Sequence, residues 1–176
     1  TVEANHDALS LTMTGGQLVI GAGNTLNVAG NMDASAGAVT LGAGSTLKAG
    51  SGTATGIAAG DGATIETSGS FNASHLVLPT SGTFVKAGAG TLSFSQASGV
   101  NVIDASNTIR VDAGELKMQA LSNPIGGADL VLNGGTFTVQ GQTTYQAGLL
   151  AGSHSNTDWQ TVANSGNLGT SLLGPE

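Results

Sequence analysis

The chain is marked by short runs in which apolar and polar residues alternate. Gly, Asn or Ser bounds most of these runs, and Gly interrupts nearly every window that is long enough to form a helix. Alternation on this scale predicts half-buried β-strands. The clearest runs are residues 9–13, 18–20, 25–28, 108–111, 115–118 and 136–139. We therefore predict an all-β protein rather than a disordered Gly-rich chain.

A strand–turn–strand unit recurs along the chain. Residues 16–29 align without a gap on residues 37–50, 21 positions later, and the segment from Gly42 matches the segment from Gly60, a step of 18. Further copies cover residues 76–84, 102–111 and 130–139, the last with one residue deleted in its turn. A unit of about twenty residues cannot enclose a core alone, so it is stabilised by stacking on its own copies.

Stacking places equivalent apolar residues in columns inside the molecule, and each strand pairs in parallel with its counterpart about 4.8 Å away. This arrangement predicts a parallel β-solenoid, most often a right-handed β-helix, with about 20 residues per coil and about six to seven coils. The predicted columns are Leu18, Val39, Leu76 and Leu130; Ile20, Leu41, Leu78, Ile103 and Leu132; Leu26, Leu47, Ile65, Phe84, Ile109 and Phe137; and Val28, Val111 and Val139.

Lys86 is the exception to the apolar pattern, since its parity places it in the inward column with Val28 and Val111. Burial of an unpaired ammonium group is very costly. Either the strand bends after Val85, or the lysine side chain extends to the edge of the coil. Because Ala87 and Gly88 follow at once, the bend is the favoured expectation.

The repeat pattern fades toward the end of the chain. We expect residues 1–140 to form the solenoid repeats, and residues 141–176 to form a last coil or cap followed by a linker-like tail. This last part contains the single Tyr, Tyr145, and the single Trp, Trp159. With no signal peptide and no helix to cap either end of the solenoid, the sequence is interpreted as a fragment of a longer chain.

Residues 81–95, followed by residues 109–117, resemble the autotransporter-associated β-strand repeat, also called the passenger-associated transport repeat. The family pattern is Gly-Thr-Leu-x-Lys-x-Gly-x-Gly-Thr-Leu, closed later by a Gly-Thr-Leu-like strand. The matching positions are Gly82, Thr83, Phe84, Lys86, Gly88, Gly90, Thr91, Leu92, Gly114, Glu115 and Leu116, with Glu115 in place of the usual Thr. Residues 96–99 replace the family's Asn-Thr-Tyr-Thr-Gly turn. The resemblance implies a secreted or surface-exposed bacterial β-helix within a long passenger.

The charge balance and composition of the chain disfavour several kinds of partner and site. Lys and Arg together number 4 against 11 Asp and Glu, which gives a net charge of -7. So few cations disfavour binding to nucleic acid or to an anionic membrane surface. No apolar run approaches the roughly 20 residues of a transmembrane helix. The absence of Cys excludes disulfides and thiolate sites, and the surface must consist largely of Thr, Ser, Asn, Gln and Gly, which suits an extracellular protein.

Acidic residues are candidate catalytic groups because β-helices also include polysaccharide lyases and glycosidases, which cluster carboxylates on one outer face. The best candidate cluster is Asp104, Arg110, Asp112 and Glu115, with Asp61 stacked near Asp104. One basic residue and no aromatic sugar platform accompany it. Scattered, solvated charges are therefore the favoured interpretation, and we predict no catalytic residue.

Metal and cofactor sites are not predicted either. His6, His75 and His154 lie far apart without the spacing of metal ligands. The calcium-binding nonapeptide is absent, and residues 126–129 are too short a match. The Gly-rich segments lie between strands, whereas a dinucleotide or phosphate loop needs a following helix.

These observations favour a non-enzymatic structural segment of a bacterial cell-surface or secreted β-helix, acting as an adhesin passenger, stalk or fibre. The alternatives are a carbohydrate-active lyase or glycosidase domain, and a glycan-binding adhesion module, either of which the fold class also permits. Expected partners are flanking segments of the same chain, other copies joined end to end or laterally, and glycans or a host surface. The expected location is outside the cell, after secretion across the bacterial outer membrane.

Overall fold

A computed structural model describes residues 1–95, 101–119 and 125–140, together with three short strands at residues 144–145, 150–152 and 167–168. These described residues form β-strands joined by turns, and no helix. The strands pair in parallel in a stack of about six turns that lie about 21 residues apart. The prediction of an all-β parallel solenoid is confirmed.

The first half of the chain contains two long strands that continue around corners, and the second half contains shorter ones. The strands are β1 (His6–Ala8), β2 (Leu11–Thr12), β3 (Gln17–Ile20), β4 (Thr25–Leu41), β5 (Thr46–Ala59), β6 (Ala63–Thr67), β7 (Ser70–Ala73), β8 (Leu76–Val77), β9 (Gly82–Ala87), β10 (Thr91–Phe94), β11 (Asn107–Val111), β12 (Glu115–Gln119), β13 (Asp129–Leu132), β14 (Thr136–Gln140), β15 (Thr144–Tyr145), β16 (Leu150–Gly152) and β17 (Asn167–Leu168). Of the last three, β16 extends the solenoid beyond residue 140 by pairing with β13, and β15 pairs with β17 in a separate small sheet.

Each coil has three faces, which we name A, B and C in the order in which the chain passes through them from β3 onward. Face A consists of β3, residues 38–41 of β4, residues 56–59 of β5, and β8. Face B consists of β1, residues 25–28 and 46–49, β6, β9, β11, β13 and β16. Face C consists of β2, residues 31–34 and 52–54, β7, β10, β12 and β14.

Inward side chains of the three faces meet in one continuous core. On face B, Leu26 pairs with Leu47 and Leu47 with Ile65, and all three are buried as the repeat alignment predicts. On face A, Val39 pairs with Ile57 in an equally buried column. This burial of apolar area is the main stabilising contribution to the fold.

The repeat alignment is wrong by two residues in the middle of face B. Phe84 pairs with Ala63 rather than Ile65, and Ile109 follows Phe84 in that displaced column. The position opposite Ile65 is taken by Lys86. The shift arises because the coils differ in length. Residues are added or removed at the corners, while the parallel pairing of β6, β9 and β11 continues from coil to coil.

The last predicted copy of the repeat lies on the wrong faces. Leu130 and Leu132 belong to face B, where Leu130 pairs with Ile109, instead of continuing the columns of face A. Phe137 belongs to face C and pairs with Leu116. The column of Val28, Val111 and Val139 is also wrong. Val28 pairs with Ala49, Val111 pairs with Lys86 and Leu132, and Val139 pairs with Met118 on face C.

Glycine makes the corners between faces A and B. Gly23, Gly44 and Gly62 have φ values of 70°, 64° and 71°, a left-handed conformation that residues with a Cβ rarely adopt. The Gly44 N–H donates to Asp61 O at 2.8 Å, and the Gly62 N–H donates to Thr83 O at 2.8 Å. The corners at Gly44 and Gly62 are therefore each hydrogen-bonded to the next coil of the stack.

Candidate functional site

Lys86 is the most unusual polar residue of the core. Strand β9 continues through it to Ala87, and its side chain is completely buried between Ile65 and Val111. The expected bend after Val85 is therefore wrong. The turn comes later, at Gly88, whose φ is 76°.

The buried ammonium group is satisfied by backbone oxygens of two corners. Lys86 Nζ donates to Ala87 O at 2.7 Å and Gly88 O at 2.8 Å in its own coil, and to Ala113 O at 3.1 Å in the next coil. Burial lowers the pKa of Lys86 to about 8, against the opposing attraction of the Glu66 carboxylate. These bonds join two consecutive coils, and they give Lys86 a structural role.

Arg110 and Asp112 form the core of the charged cluster that the sequence suggested. Arg110 Nε lies 2.8 Å from Asp112 Oδ1, and Arg110 Nη2 donates to Asp112 Oδ2 at 3.0 Å. Asn133 Nδ2 of the next coil also donates to Asp112 Oδ1, at 3.3 Å. Both carboxylate oxygens are thus engaged by neighbouring donors, in an arrangement that orders an exposed corner.

The other acidic residues of that cluster are engaged elsewhere. Asp104 Oδ1 accepts the Ser106 N–H at 2.9 Å within its own turn, and Asp61 Oδ1 accepts the Thr83 N–H of the following coil at 2.8 Å. The ladder places Gly82 between the corner of Asp61 and the later corner that contains Asp104, so the expected stacking of the two carboxylates is wrong. Each carboxylate caps a turn.

Glu115 lies around the corner from Asp112, at the start of β12 on face C. Its Oε2 accepts a hydrogen bond from Thr91 Oγ1 at 3.1 Å, and Thr136 is its partner on the other side. The structure therefore distributes the five candidate residues over two faces and several corners instead of assembling them around one substrate position.

A row of polar side chains crosses four consecutive strands of face B, where Asp7, Asn27, Lys48 and Glu66 lie in register. Asn27 Nδ2 donates to Asp7 Oδ1 at 2.9 Å, and Lys48 Nζ lies 2.9 Å from Glu66 Oε2. A shallow cleft of about 130 Å³ lies beside this row and extends to Ser68. Opposite charges on adjacent strands stabilise a sheet modestly, and that accounts for the row.

Asp33 on face C is a polar position that the sequence patterns did not single out. Its Oδ1 accepts bonds from Ser35 Oγ at 2.6 Å, Ser35 N at 3.0 Å and Thr53 Oγ1 at 3.3 Å. The hydrogen bonds from the Ser35 hydroxyl and N–H lower the pKa of Asp33, with Thr53 adding to the effect. The spacing Asp-x-Ser is the available sequence signal for such a turn.

Face A has a groove of different character. Thr40, Ala58 and Val77 occupy its outward column, and the open groove of about 310 Å³ extends to Gly60 and Pro79. Val102 continues this column through its bridge to Val77 and is 54% exposed. The small side chain of Ala58 between two larger ones creates the groove, whose lining is mainly apolar.

The histidines and the Gly-rich segment also have local environments. His6 is exposed on β1, and the His75 ring packs closely over Gly56; His154 lies outside the described residues. Within the described ranges, no group of three or more His, Asp or Glu side chains is arranged to hold a metal ion. Gly126 and Gly127, with φ values of 64° and 90°, form a corner over Ile103.

Comparison with known proteins gave no match to any family model, to any curated protein or to any solved structure. Among the residues that the structure describes, there is no helix with the length and hydropathy needed to span a bilayer. The resemblance to the autotransporter-associated repeat therefore stays a prediction based on residues 81–95 and 109–117.

Proposed function

We propose that this chain is a non-enzymatic structural segment of a bacterial β-helix that is secreted or exposed at the cell surface, where it serves as an adhesin passenger, stalk or fibre. The observation that carries the proposal is the core of the described residues, which forms one cluster from Ile20 to Phe137 and passes from coil to coil. In such a stack each coil adds length and contacts chiefly its neighbours. A rod built in this way suits the task of holding another part of a protein away from a surface.

The hydrogen bonding of the outward side chains supports the same proposal. Asp112, Asp61 and Glu115 each contact a residue in a neighbouring coil. Asn31 and Asp33 likewise accept bonds from Ser51 and Thr53 of the next coil. These groups reinforce the stack, which is the expected use of polar residues in a fibre that has few charges.

The proposed partners are further coils at the two ends of the segment, supplied by flanking parts of the same chain or by another copy. In the described part of the molecule, β1 and β2 pair with β4 alone, so their other edges are available for a parallel strand. Such edges are the usual sites of strand addition. Glycans of a host surface are a further proposed partner for the Thr- and Asn-rich faces, which have few charges.

Antibody labelling of cells of the source bacterium tests the proposed location directly. Antibodies raised against the folded chain should label intact cells, or the culture medium if the protein is secreted, and protease added outside should remove the signal. Labelling that requires permeabilised cells would contradict the proposal. A cytoplasmic marker protein, probed in the same samples, controls for lysis.

A polysaccharide panel separates the structural role from the enzymatic alternative. The purified chain should release no oligosaccharide from pectin, alginate or host glycans. Release that disappears in Asp112→Asn, while Asp104→Asn retains it, would establish an enzyme and identify its acidic group. A glycan array run with and without a chelator would distinguish a passive stalk from a binding module.

A further inference from the structure

Asn133 lies at the corner between faces B and C, after β13 ends at Leu132 and before β14 begins at Thr136. Both Asn133 and Gly134 are exposed, and Gly134 has a φ of 113°. The side chain amide of Asn133 donates to Asp112 Oδ1 at 3.3 Å. This corner therefore combines an exposed asparagine, a following glycine and a position outside the strands.

The other asparagines of the described residues lack this combination. Asn27, Asn31, Asn72 and Asn107 lie within strands, and none of them precedes a glycine. Those in turns precede larger residues, as Asn101 precedes Val102, and Asn101 Oδ1 accepts the Leu76 N–H at 2.8 Å. In the whole sequence, Asn133 is the one asparagine that is followed by Gly.

The fold itself requires the glycine. A Cβ at residue 134 would lie 2.6 Å from Asp112 O, and the positive φ would be strained for any other residue. A bulky residue at position 134 would protect the asparagine by hindering attack on its side chain. The packing of this corner against the preceding coil excludes that protection.

We propose that Asn133 is a site of spontaneous deamidation that acts on the joint between two coils. The backbone nitrogen of Gly134 attacks Cγ of Asn133, a C–N bond forms, and the side chain nitrogen leaves as ammonia with the proton from Gly134. Water then opens the succinimide ring at either carbonyl and gives aspartate or isoaspartate. The net reaction consumes one water and releases one ammonia, and needs no oxidant or enzyme.

The product changes the electrostatics of the corner. A carboxylate replaces the amide that donates to Asp112, so two negative groups face each other beside Arg110. Isoaspartate also adds a methylene group to the backbone just before β14, where the Asn133 N–H bonds to Val111 O at 2.8 Å. Both products should weaken the contact between this coil and the preceding one.

Mass spectrometry tests the site. The folded chain is incubated in mildly alkaline buffer made with heavy-oxygen water, then digested, and label uptake is followed in each Asn-containing peptide. We expect the peptide of Asn133 to gain label and an acidic group, with the peptide of exposed Asn72 at least about tenfold slower, since its strand must open first. Equal rates at the two sites would overturn the proposal.

Three further comparisons make the test sharper. Asn133→Gln should stop labelling of this peptide, and folding should slow the reaction at Asn133 by less than about tenfold relative to the same chain in urea; a greater slowing means that the corner protects its asparagine and refutes the inference. At low salt, Asn133→Asp should have a lower Tm than Asn133→Ser, and salt should reduce the difference. Equal Tm values would contradict the effect on the joint.

Discussion

The first and second halves of the solenoid fill their cores with side chains of different size. Up to residue 63, small buried positions are frequent: Ala34, Ala49, Ala54, Ala59 and Ala63. All four phenylalanines of the chain come later, and all are buried: Phe71, Phe84, Phe94 and Phe137. The later half also contains the buried Lys86.

The ladder shows how the two halves are made compatible. Phe71 pairs with Gly52 of the preceding coil, Phe84 with Ala63, and Phe94 with Ala73. A large side chain thus follows a small one along the column, which fills the interior at the usual packing density. Phe137 pairs with Leu116 instead, so the exchange of volume with a small neighbour applies to the first three rings.

Truncation of an aromatic residue should have the largest effect. Phe84→Ala leaves a cavity next to a position that is already small, so we expect it to reduce the free energy of unfolding by about 3–5 kcal/mol. Urea denaturation followed by circular dichroism measures the change. Leu9→Ala is the control, because Leu9 is 86% exposed and its loss should cost less than about 0.5 kcal/mol. Similar small changes in both variants would contradict the packing described for the second half.

The buried Lys86 should make the stability of the solenoid depend on pH in the alkaline range. The pKa of Lys86 is lowered to about 8 from 10.5, so between these pH values the unfolded chain binds more protons. The free energy of unfolding should therefore rise with pH across this window, by about 3 kcal/mol at most. Below the window both states hold the proton, so Lys86 should add no pH dependence there.

Two lysine variants isolate this contribution. The rise in stability above pH 8 that wild type owes to Lys86 should be absent in Lys86→Met, and Lys48→Met, at a surface salt bridge, should retain it. The measurement is urea denaturation at a series of pH values. Identical slopes for wild type and Lys86→Met would mean that the ammonium group is not buried as described.

Replacement of Gly52, the small partner of Phe71, by a larger residue should have an intermediate effect on stability. In Gly52→Ala the new Cβ would lie 2.9 Å from Cε2 of Phe71 and in contact with Met32 O, so we expect a loss of about 1–3 kcal/mol. The loss should be smaller in a Phe71→Leu background, where a double-mutant cycle reports the coupling of the pair. Strict additivity would show that the two coils do not share volume.

Removal of a surface charge should have the smallest effect. The Lys48–Glu66 pair is separated by 2.9 Å, but its side chains are 44% and 43% exposed. Lys48→Ala should therefore cost less than about 1 kcal/mol, and less still at high salt. Thermal unfolding at two salt concentrations measures it, and a loss comparable to that of Phe84→Ala would contradict the dominance of the core.

The sequence was sufficient to predict the fold and the first columns, because residues 16–29 and 37–50 repeat without a gap. The prediction from sequence failed where segments that belong to different faces have the same strand–turn–strand pattern. Residues 130–139 have the same strand–turn–strand pattern as the A–B corner, yet they enclose the B–C corner. Since every coil has three such corners, local pattern alone does not show which one a segment forms.

Lys86 was misjudged for a different reason. Its parity correctly indicated an inward side chain, and the cost of an unpaired charge then favoured a bend. What the sequence does not reveal is that the oxygens of Ala87, Gly88 and Ala113 converge on the ammonium group. The neighbours of the acidic residues were hidden for the same reason, since Asp61 accepts a bond from Thr83 and Asp112 accepts one from Asn133, both in other coils.

The unequal size of the coils has a practical consequence. Leu47 meets its partner Ile65 after 18 residues, whereas Lys86 meets Val111 after 25. The strand register locates the difference in length between Phe94, which pairs with Ala73, and Val102, which bridges to Val77. Segments that join paired strands usually tolerate added peptide. The longer coil thus offers a natural position for grafting a foreign epitope, and the rod could display it without any redesign of its interior.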